Sequence, residues 1–450
     1  MDTIQKSTLT SKIIWLLVAV IGAVSFGVLA LSRGEHVNAV WLVLAAACVY
    51  SIAYRFYSLF IANKVFELNE RRLTPAHRLA DGLDYVPTNK GVLFGHHFAA
   101  IAGAGPLVGP ILAAQMGYLP GTIWLLVGVV LAGAVQDFLV LFISTRRDGR
   151  SLGEMAKQEL GTFAGIIVML GALGVMIIIL AVLALVVVKA LTNSPWGVFS
   201  IAATIPIAIF MGVYMRFIRP GKIAEVSIIG FVLMMLGIIY GENIAQHPYW
   251  GPFFTLSGTE LTWALIIYGF IASVLPVWLL LAPRDYLSTF LKIGVIAGLA
   301  LGIVFAMPEM KLPAITQFVD GTGPVFAGSL FPFLFITIAC GAISGFHALV
   351  SSGTTPKLVN NERDIRMIGY GGMLMESFVA IMALICAAVL DPGIYFAINS
   401  PAALLGTSVD TAAEAVRNLG FVVTPEALTL LAQEVGESSI LSRTGGAPTF

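Results

Sequence analysis

The sequence predicts an all-α integral membrane protein of about eleven transmembrane helices, and three observations carry that reading. The 450-residue chain is 58% hydrophobic and 11% charged, where soluble domains carry about 25% charged residues, and its mean hydropathy is +0.92. Its apolar residues gather into runs near the ~20 residues that a bilayer core about 30 Å thick requires. Its lysines and arginines sort to one side of those runs. The 25 basic residues balance 25 acidic ones. With no basic stripe to neutralise phosphates, a nucleic-acid binder is excluded, as are a disordered chain and a coiled coil. Cys48, Cys340 and Cys386 all lie inside apolar runs; an odd number so placed argues against a disulfide framework or metal cluster and reads as small core residues.

Charges and turn residues cut the chain into segments 13–31, 37–62, 91–117, 120–144, 163–188, 198–215, 225–240, 261–282, 287–306, 328–350 and 367–390. The first run exceeds the roughly 7–15 apolar residues of a signal peptide and no small-x-small site closes it, so it reads as a span. The seventh is short, and the boundary between the eighth and ninth rests on Pro283-Arg284-Asp285. With the N-terminus inside, the inner loops collect Lys6 and Lys12; Lys64, Arg71, Arg72, Arg78 and Lys90; Arg146, Arg147, Arg150 and Lys157; Arg216, Arg219 and Lys222; Arg284 and Lys292; Lys357, Arg363 and Arg366. The outer side receives only Arg33, Lys189, Lys311, Arg417 and Arg443, and Arg55 lies within a span as a snorkelling structural residue. Nineteen against five follows the positive-inside rule. Beyond the last span, Thr411 with Glu414 reads as a capping box, Gly420 as a stop, Thr424-Pro425-Glu426 as the start of a second helix and Gly436 as its end, giving a short helical hairpin on the outer surface. The Gly-rich stretch from Thr444 to Phe450 resembles the start of another irregular element, which predicts a fragment of a longer chain.

Transporter sites lie near the midplane, where a helix is broken so that backbone groups face an ion or substrate. Gly95-His96-His97-Phe98-Ala99-Ala100-Ile101-Ala102-Gly103-Ala104-Gly105-Pro106-Leu107-Val108-Gly109-Pro110 in the third span has that signature. Gly103 and Gly105 alone suit close helix packing equally well, but Pro106 and Pro110 favour an unwound segment. Five spans on, Gly269-Phe270-Ile271-Ala272-Ser273-Val274-Leu275-Pro276-Val277-Trp278 interrupts the eighth. A single Pro kink explains it too. Two interrupted spans of opposite direction point to an inverted repeat. The expected organisation is then two N-terminal peripheral helices (1–62), a cytoplasmic loop (63–90), a first repeat (91–240), an incomplete second repeat (261–390) and an extracytoplasmic helical segment (391–450). Substrate-binding candidates are His96, His97, Gly103, Gly105, Pro106, Ser273 and Pro276.

Ionisable groups inside spans cost roughly 2.5–3.5 kcal/mol or more and are seldom idle. Glu376, Asp137 and His347 are the candidates for proton or ion coupling, against the plainer reading of interhelical hydrogen bonds, and Asp137 also suits pairing with an inner-side Arg. Ser344, Ser351, Ser352, Thr354 and Thr355 add hydroxyls at the inner end of the tenth span. They suit Na⁺ or simply cap helix ends, so the coupling ion stays open between H⁺ and Na⁺.

The runs Gly95 to Pro106, Gln136-Asp137-Phe138, Arg146-Arg147-Asp148-Gly149-Arg150-Ser151, Leu281-Ala282-Pro283-Arg284-Asp285-Tyr286 and Ser344-Gly345-Phe346-His347-Ala348 closely resemble the carbon starvation protein A family of bacterial inner-membrane transporters. The similarity covers essentially the whole chain. The resemblance implies uptake of pyruvate or peptides, driven by the proton gradient, in cells short of preferred carbon. It also implies kinship with the amino acid-polyamine-organocation superfamily and its leucine-transporter-like five-plus-five repeat. Family members continue through further spans after the Gly-Gly-Ala-Pro-Thr motif, here Gly445 to Thr449.

The expected function is therefore a secondary active transporter in the bilayer for a small carboxylate or short peptide, with no cofactor, no metal and no nucleic-acid partner. A membrane enzyme using His96, His97 and His347 as metal ligands is disfavoured, since no His-x-x-x-His spacing occurs and adjacent histidines project about 100° apart on a helix. A nutrient sensor without transport lacks an attached signalling domain. An ATP-driven pump lacks a phosphate-binding loop.

Overall fold

The computed structural model describes residues 37–434 and 439–442. The expected first span, 13–31, the helix stop at Gly436 and the motif at Gly445 to Thr449 lie outside the described residues. The rest is helical: α1 (Ala39–Val65), α2 (Lys90–Ile101), α3 (Gly105–Met116), α4 (Tyr118–Arg146), α5 (Leu152–Leu160), α6 (Thr162–Leu191), α7 (Pro195–Ile218), α8 (Ile223–Gln246), α9 (Gly258–Val274), α10 (Leu281–Ala306), α11 (Ala339–Ala342), α12 (Gly345–Ser351), α13 (Arg366–Val389), α14 (Pro392–Asn399), α15 (Val409–Asn418) and α16 (Pro425–Glu434). Among the described residues seven of these are long and apolar enough to cross a bilayer, and the α2–α3 pair, bent by 44°, makes an eighth if it is one span.

Burial ranks these helices. Of α13's most apolar stretch 78% is buried, and of α6's none. The central α13 is rich in small residues, and Gly341 of α11 faces Ala380 so closely that an added Cβ would lie 2.5 Å from the alanine's. Such small-residue faces let helix backbones approach in lipid, where no hydrophobic force drives association. Around α13 pack α1, α2, α3 and the first half of α4. Tyr50 of α1 reaches Ser377 of α13, hydroxyl to hydroxyl, at 2.7 Å. The α7–α8 pair joins this core through α10, which lies along α2, while α6 carries α5 and α9 at the margin.

One ion pair fastens the Lys/Arg-rich face. Arg146, at the end of α4, donates through Nε to Glu362 Oε1 at 2.6 Å and through Nη2 to the carbonyls of Phe66 and Glu67 at 3.0 and 3.1 Å. Glu362, 1% exposed, also accepts the Asn69 N–H at 2.7 Å. The ends of α1 and α4 and the loop before α13 are thereby tied in one knot.

The third span breaks largely as expected, while the eighth, the tenth and the C-terminal hairpin depart from expectation. The third span breaks beside Gly103: Ala102 leaves the helical region, and Pro106 sits in the first turn of α3, where its missing N–H has no intrahelical partner to lose. Pro110, expected to unwind the chain, instead lies buried inside α3, where packing against α13 outweighs the one backbone bond it removes. The eighth span does not break in the middle. Helix α9 runs unbroken through Gly269 and Ser273 and ends at Val274, before Pro276. The chain is irregular at Leu275–Leu280, and α10 begins at Leu281, so Pro283-Arg284-Asp285 is not a boundary. Pro283 is the third residue of α10 and, like Pro106, loses no bond there. The tenth span, expected to be continuous, is broken instead into the turns Leu330–Leu334 and Phe335–Thr337, then α11 and α12. In the C-terminal hairpin Ser408 caps α15 and Thr411 closes the capping box, one turn before the expected Thr411 and Glu414. Gly420 has a φ of +93° after α15, and the Thr424 hydroxyl caps α16, both as the sequence indicates.

Candidate functional site

Breaking the tenth span brings three helices together at one point. Asp137 from α4, His347 from α12 and Glu376 from α13 are each 0% exposed. His347 Nδ1 lies 3.0 Å from Asp137 Oδ2, and Nε2 lies 2.9 Å from Glu376 Oε2. The second contact is close but not aligned as a hydrogen bond: among the described residues Glu376 Oε2 has no hydrogen-bond partner, and neither has Asp137 Oδ1. The Cys340 thiol, from α11, donates to Glu376 Oε1 at 3.3 Å and lies 3.9 Å from His347 Nε2. An imidazole facing a carboxylate from each ring nitrogen is satisfied on both sides when it is protonated, because only the imidazolium donates from both. With both carboxylates ionised as well, the cluster carries a net charge of −1, and one more proton makes it neutral. By charge counting, such a group has room for one further proton.

The cluster adjoins the broken third span. An added Cβ on Gly105, at the start of α3, would lie 2.5 Å from Cys340 Sγ and 2.8 Å from its Cβ, so only glycine allows α3 and α11 to meet there. At the other side of the break the last carbonyls of α2 need donors. Lys292 of α10 supplies them, Nζ donating to Ala99 O at 3.0 Å and Ala102 O at 2.8 Å. A cation at the C-terminal end of a half-helix also meets the negative pole of its dipole. Lower on the same α2–α10 contact the Thr289 hydroxyl donates to Gly95 O at 2.7 Å, and His96 Nδ1 pairs with Asp285 Oδ2 at 2.8 Å.

The sequence candidates separate into groups. Asp137, His347 and Glu376 converge, and Asp137 pairs with His347 rather than with an inner-side Arg. His96 and His97 point to different partners, His97 Nδ1 lying 3.0 Å from the Thr355 hydroxyl. With His347 on Asp137, the three histidines do not share one focus. Gly103 is exposed with open space about it, whereas Pro106 is buried at the head of α3. Ser273 and Pro276 are not brought to the break: α9 packs chiefly on α6, and the Ser273 hydroxyl, exposed, donates to Phe270 O. The hydroxyls of the tenth span disperse. Ser352 accepts the Leu152 N–H at 3.2 Å and donates to Ala348 O, Thr355 engages His97, and Ser351 is buried without a side-chain partner.

Three participants were missed. Cys340 reads as a small core residue in the sequence, but six residues separate it from His347 across Gly341, Ser344 and Gly345, and that glycine spacing is a break signal. Lys292 was counted with the inner-loop charges; it sits half-buried on the break, one of the few charges inside a long apolar run. Asp285 reads in the sequence as part of a loop boundary. Sγ, Nε2 and Oε atoms of Cys340, His347 and Glu376 lie within 4.8 Å of one another, and His347 and Glu376 are turned onto each other.

The carbon starvation protein CstA family model matches residues 38–450. A peptide transporter CstA of Campylobacter jejuni is 66% identical over 98% of this chain and 63% of its own length. The pyruvate/proton symporter BtsT of Escherichia coli is 61% identical over 97% of this chain and 64% of its own, and the peptide transporter CstA of the same organism 64% identical over 97% and 63%. The chain thus spans a little under two thirds of the length of these relatives. No solved structure matches it.

Proposed function

Because the chain belongs to the carbon starvation protein CstA family, we propose that it carries the transport path of a proton-coupled importer of a small carboxylate such as pyruvate, or of short peptides, in a bacterial inner membrane, with the N-terminus cytoplasmic. The observation that carries this reading is the fully buried Asp137–His347–Glu376 chain beside the broken α2–α3 span. A proton added there removes a buried charge from the point where α4, α11, α12 and α13 meet. A proton is favoured over Na⁺ because the hydroxyls of Ser352 and Thr355 are engaged with helix ends and with His97 and the carbonyls at the break are held by Lys292, which leaves, of the tenth span's described hydroxyls, that of Ser351 alone buried without a partner, too few ligands for a dehydrated cation. The relatives' names divide between peptide and pyruvate, and both solutes present a carboxylate.

Eleven spans and a five-plus-five inverted repeat complete the reading. What supports the repeat is the break between α2 and α3; its counterpart falls in the irregular link Leu275–Leu280 rather than inside α9. The test is uptake of labelled pyruvate, and separately of labelled alanyl-alanine, into vesicles with and without an inward proton gradient, for the wild type and Glu376→Gln. Gradient-driven accumulation in the wild type that falls to passive equilibration in Glu376→Gln is expected. Accumulation of equal size in both sinks the role given to Glu376.

A further inference from the structure

Below the His96–Asp285 pair, on the Lys/Arg-rich face, lies a cavity of about 410 Å³ between the start of α2, the end of α7, the link before α10 and Leu358. That volume is within the roughly 300–1,000 Å³ of small-molecule sites. Its inner wall is apolar, with Val92, Ala282 and Leu358 all buried. Its mouth is not. The Arg216 guanidinium lies over the Trp278 ring at 4.2 Å, and one of its nitrogens donates to Gly82 O at 3.2 Å. Stacked by its face, a guanidinium keeps edge donors for a carboxylate. The first turn of α2, capped by Asn89 on the Gly91 N–H, opens on the same cavity and adds the positive pole of a twelve-residue helix.

The cavity connects to the break by register. Val92 and His96 are four apart on α2, and Ala282 and Asp285 three apart on α10, so each pair shares a helix face one turn apart. The His96–Asp285 pair therefore stands one turn beyond the cavity wall formed by Val92 and Ala282. One turn further along α10 stands Thr289, bonded to Gly95 O beside His96, and the next turn brings Lys292 onto Ala99 O and Ala102 O. Polar contacts thus line the α2–α10 seam from cavity to break.

We propose that this cavity is a vestibule that binds a small amphipathic carboxylate, its anionic end on Arg216 and its body against Val92, Ala282 and Leu358, with the His96–Asp285 pair as the inner gate. The proposal rests on the transport reading and names where that substrate docks. Purified protein in nanodiscs of neutral lipid is titrated with pyruvate, its uncharged amide, inorganic phosphate and a dispersed anionic phospholipid, following tryptophan emission, with Trp278→Phe identifying the responding ring. Saturable response to pyruvate, none to the amide, affinity weakened about tenfold or more in Arg216→Gln and partly restored in Arg216→Lys is the expected result. Val92→Phe, which fills the cavity, should abolish the response without altering the melting temperature. Pyruvate affinity unchanged in both Arg216→Gln and Val92→Phe overturns the proposal. So does a response that phosphate or the phospholipid elicits and pyruvate cannot displace. Loss of gradient-driven uptake with the Trp278 response intact refutes transport alone; uptake with no response refutes the vestibule alone.

Discussion

Replacing His347 with leucine tests the charge pairing of the buried cluster directly. In the wild type the imidazole faces Asp137 Oδ2 at 3.0 Å and Glu376 Oε2 at 2.9 Å, and all three side chains are 0% exposed. Without it, neither oxygen of Asp137 has a partner among the described residues, and there Glu376 keeps only the Cys340 thiol on Oε1. Removing one member of a buried ion pair costs about 3–5 kcal/mol, because the remaining charge is left uncompensated. Two carboxylates depend on this one ring, so the upper part of that range is expected. Replacing all three groups together, His347→Leu with Asp137→Leu and Glu376→Met, removes the charges with their partner and should recover stability to within about 1 kcal/mol of the wild type, as buried ion clusters replaced by apolar groups of similar volume do. Reversible unfolding in mixed detergent and SDS micelles measures both. A single variant that unfolds with the wild type, or a triple variant as unstable as the single, would show that the imidazole does not balance those carboxylates.

Three further outcomes are expected. Gly105→Ala should lose about 1–3 kcal/mol by overpacking against Cys340, and Cys340→Gly in the same chain should restore most of it; two losses that simply add in the same unfolding assay would mean the two positions do not touch. Lys292→Met leaves the Ala99 and Ala102 carbonyls without their charged donor and, at roughly 1.5–3 kcal/mol for a charged hydrogen bond, should destabilise by about 3 kcal/mol; unchanged amide exchange across residues 99–106 would refute its place at the break. Arg146→Met unties the ends of α1 and α4 from Glu362 and, with the arginine 26% exposed, should cost about 2 kcal/mol, less than a fully buried pair; limited proteolysis between residues 66 and 74 should accelerate, and an unchanged cleavage rate counts against the knot.

The helices were legible because hydrophobic run length is dictated by the bilayer, but where helices break was only half legible. Pro106 and Pro283 look alike in sequence, and each sits in a helix's first turn, where proline loses nothing. The first was placed correctly because Gly103 and Gly105 precede it. The second misled because Arg284 and Asp285 look like a loop, while the charges are consumed inside: Asp285 by His96, and Lys292 by two carbonyls. Gly269 and Ser273 suggested an interruption in α9, yet glycine and serine are ordinary in membrane helices, where the Ser273 hydroxyl simply bonds back to Phe270 O. In the cluster, Asp137, His347 and Glu376 were each visible as charges in apolar runs. Their convergence was not, because it depends on a tenth span broken at Ile343 and Ser344, which composition alone renders as continuous.

At 1.5 Å per residue the thirty residues of α6 reach about 45 Å, against a hydrocarbon core of about 30 Å. Helices such as α13 have their angle fixed by neighbours on every side. The 18-residue apolar stretch of α6 has no buried residue among those described, and a stretch longer than the core it crosses is accommodated by tilting. Helix α5 is packed on α6, and its first N–H is held by the Ser352 hydroxyl just past the helix that bears His347. A tilt of α6 would therefore be passed first to α5, and from α5 to Ser352 at the end of the helix that bears His347.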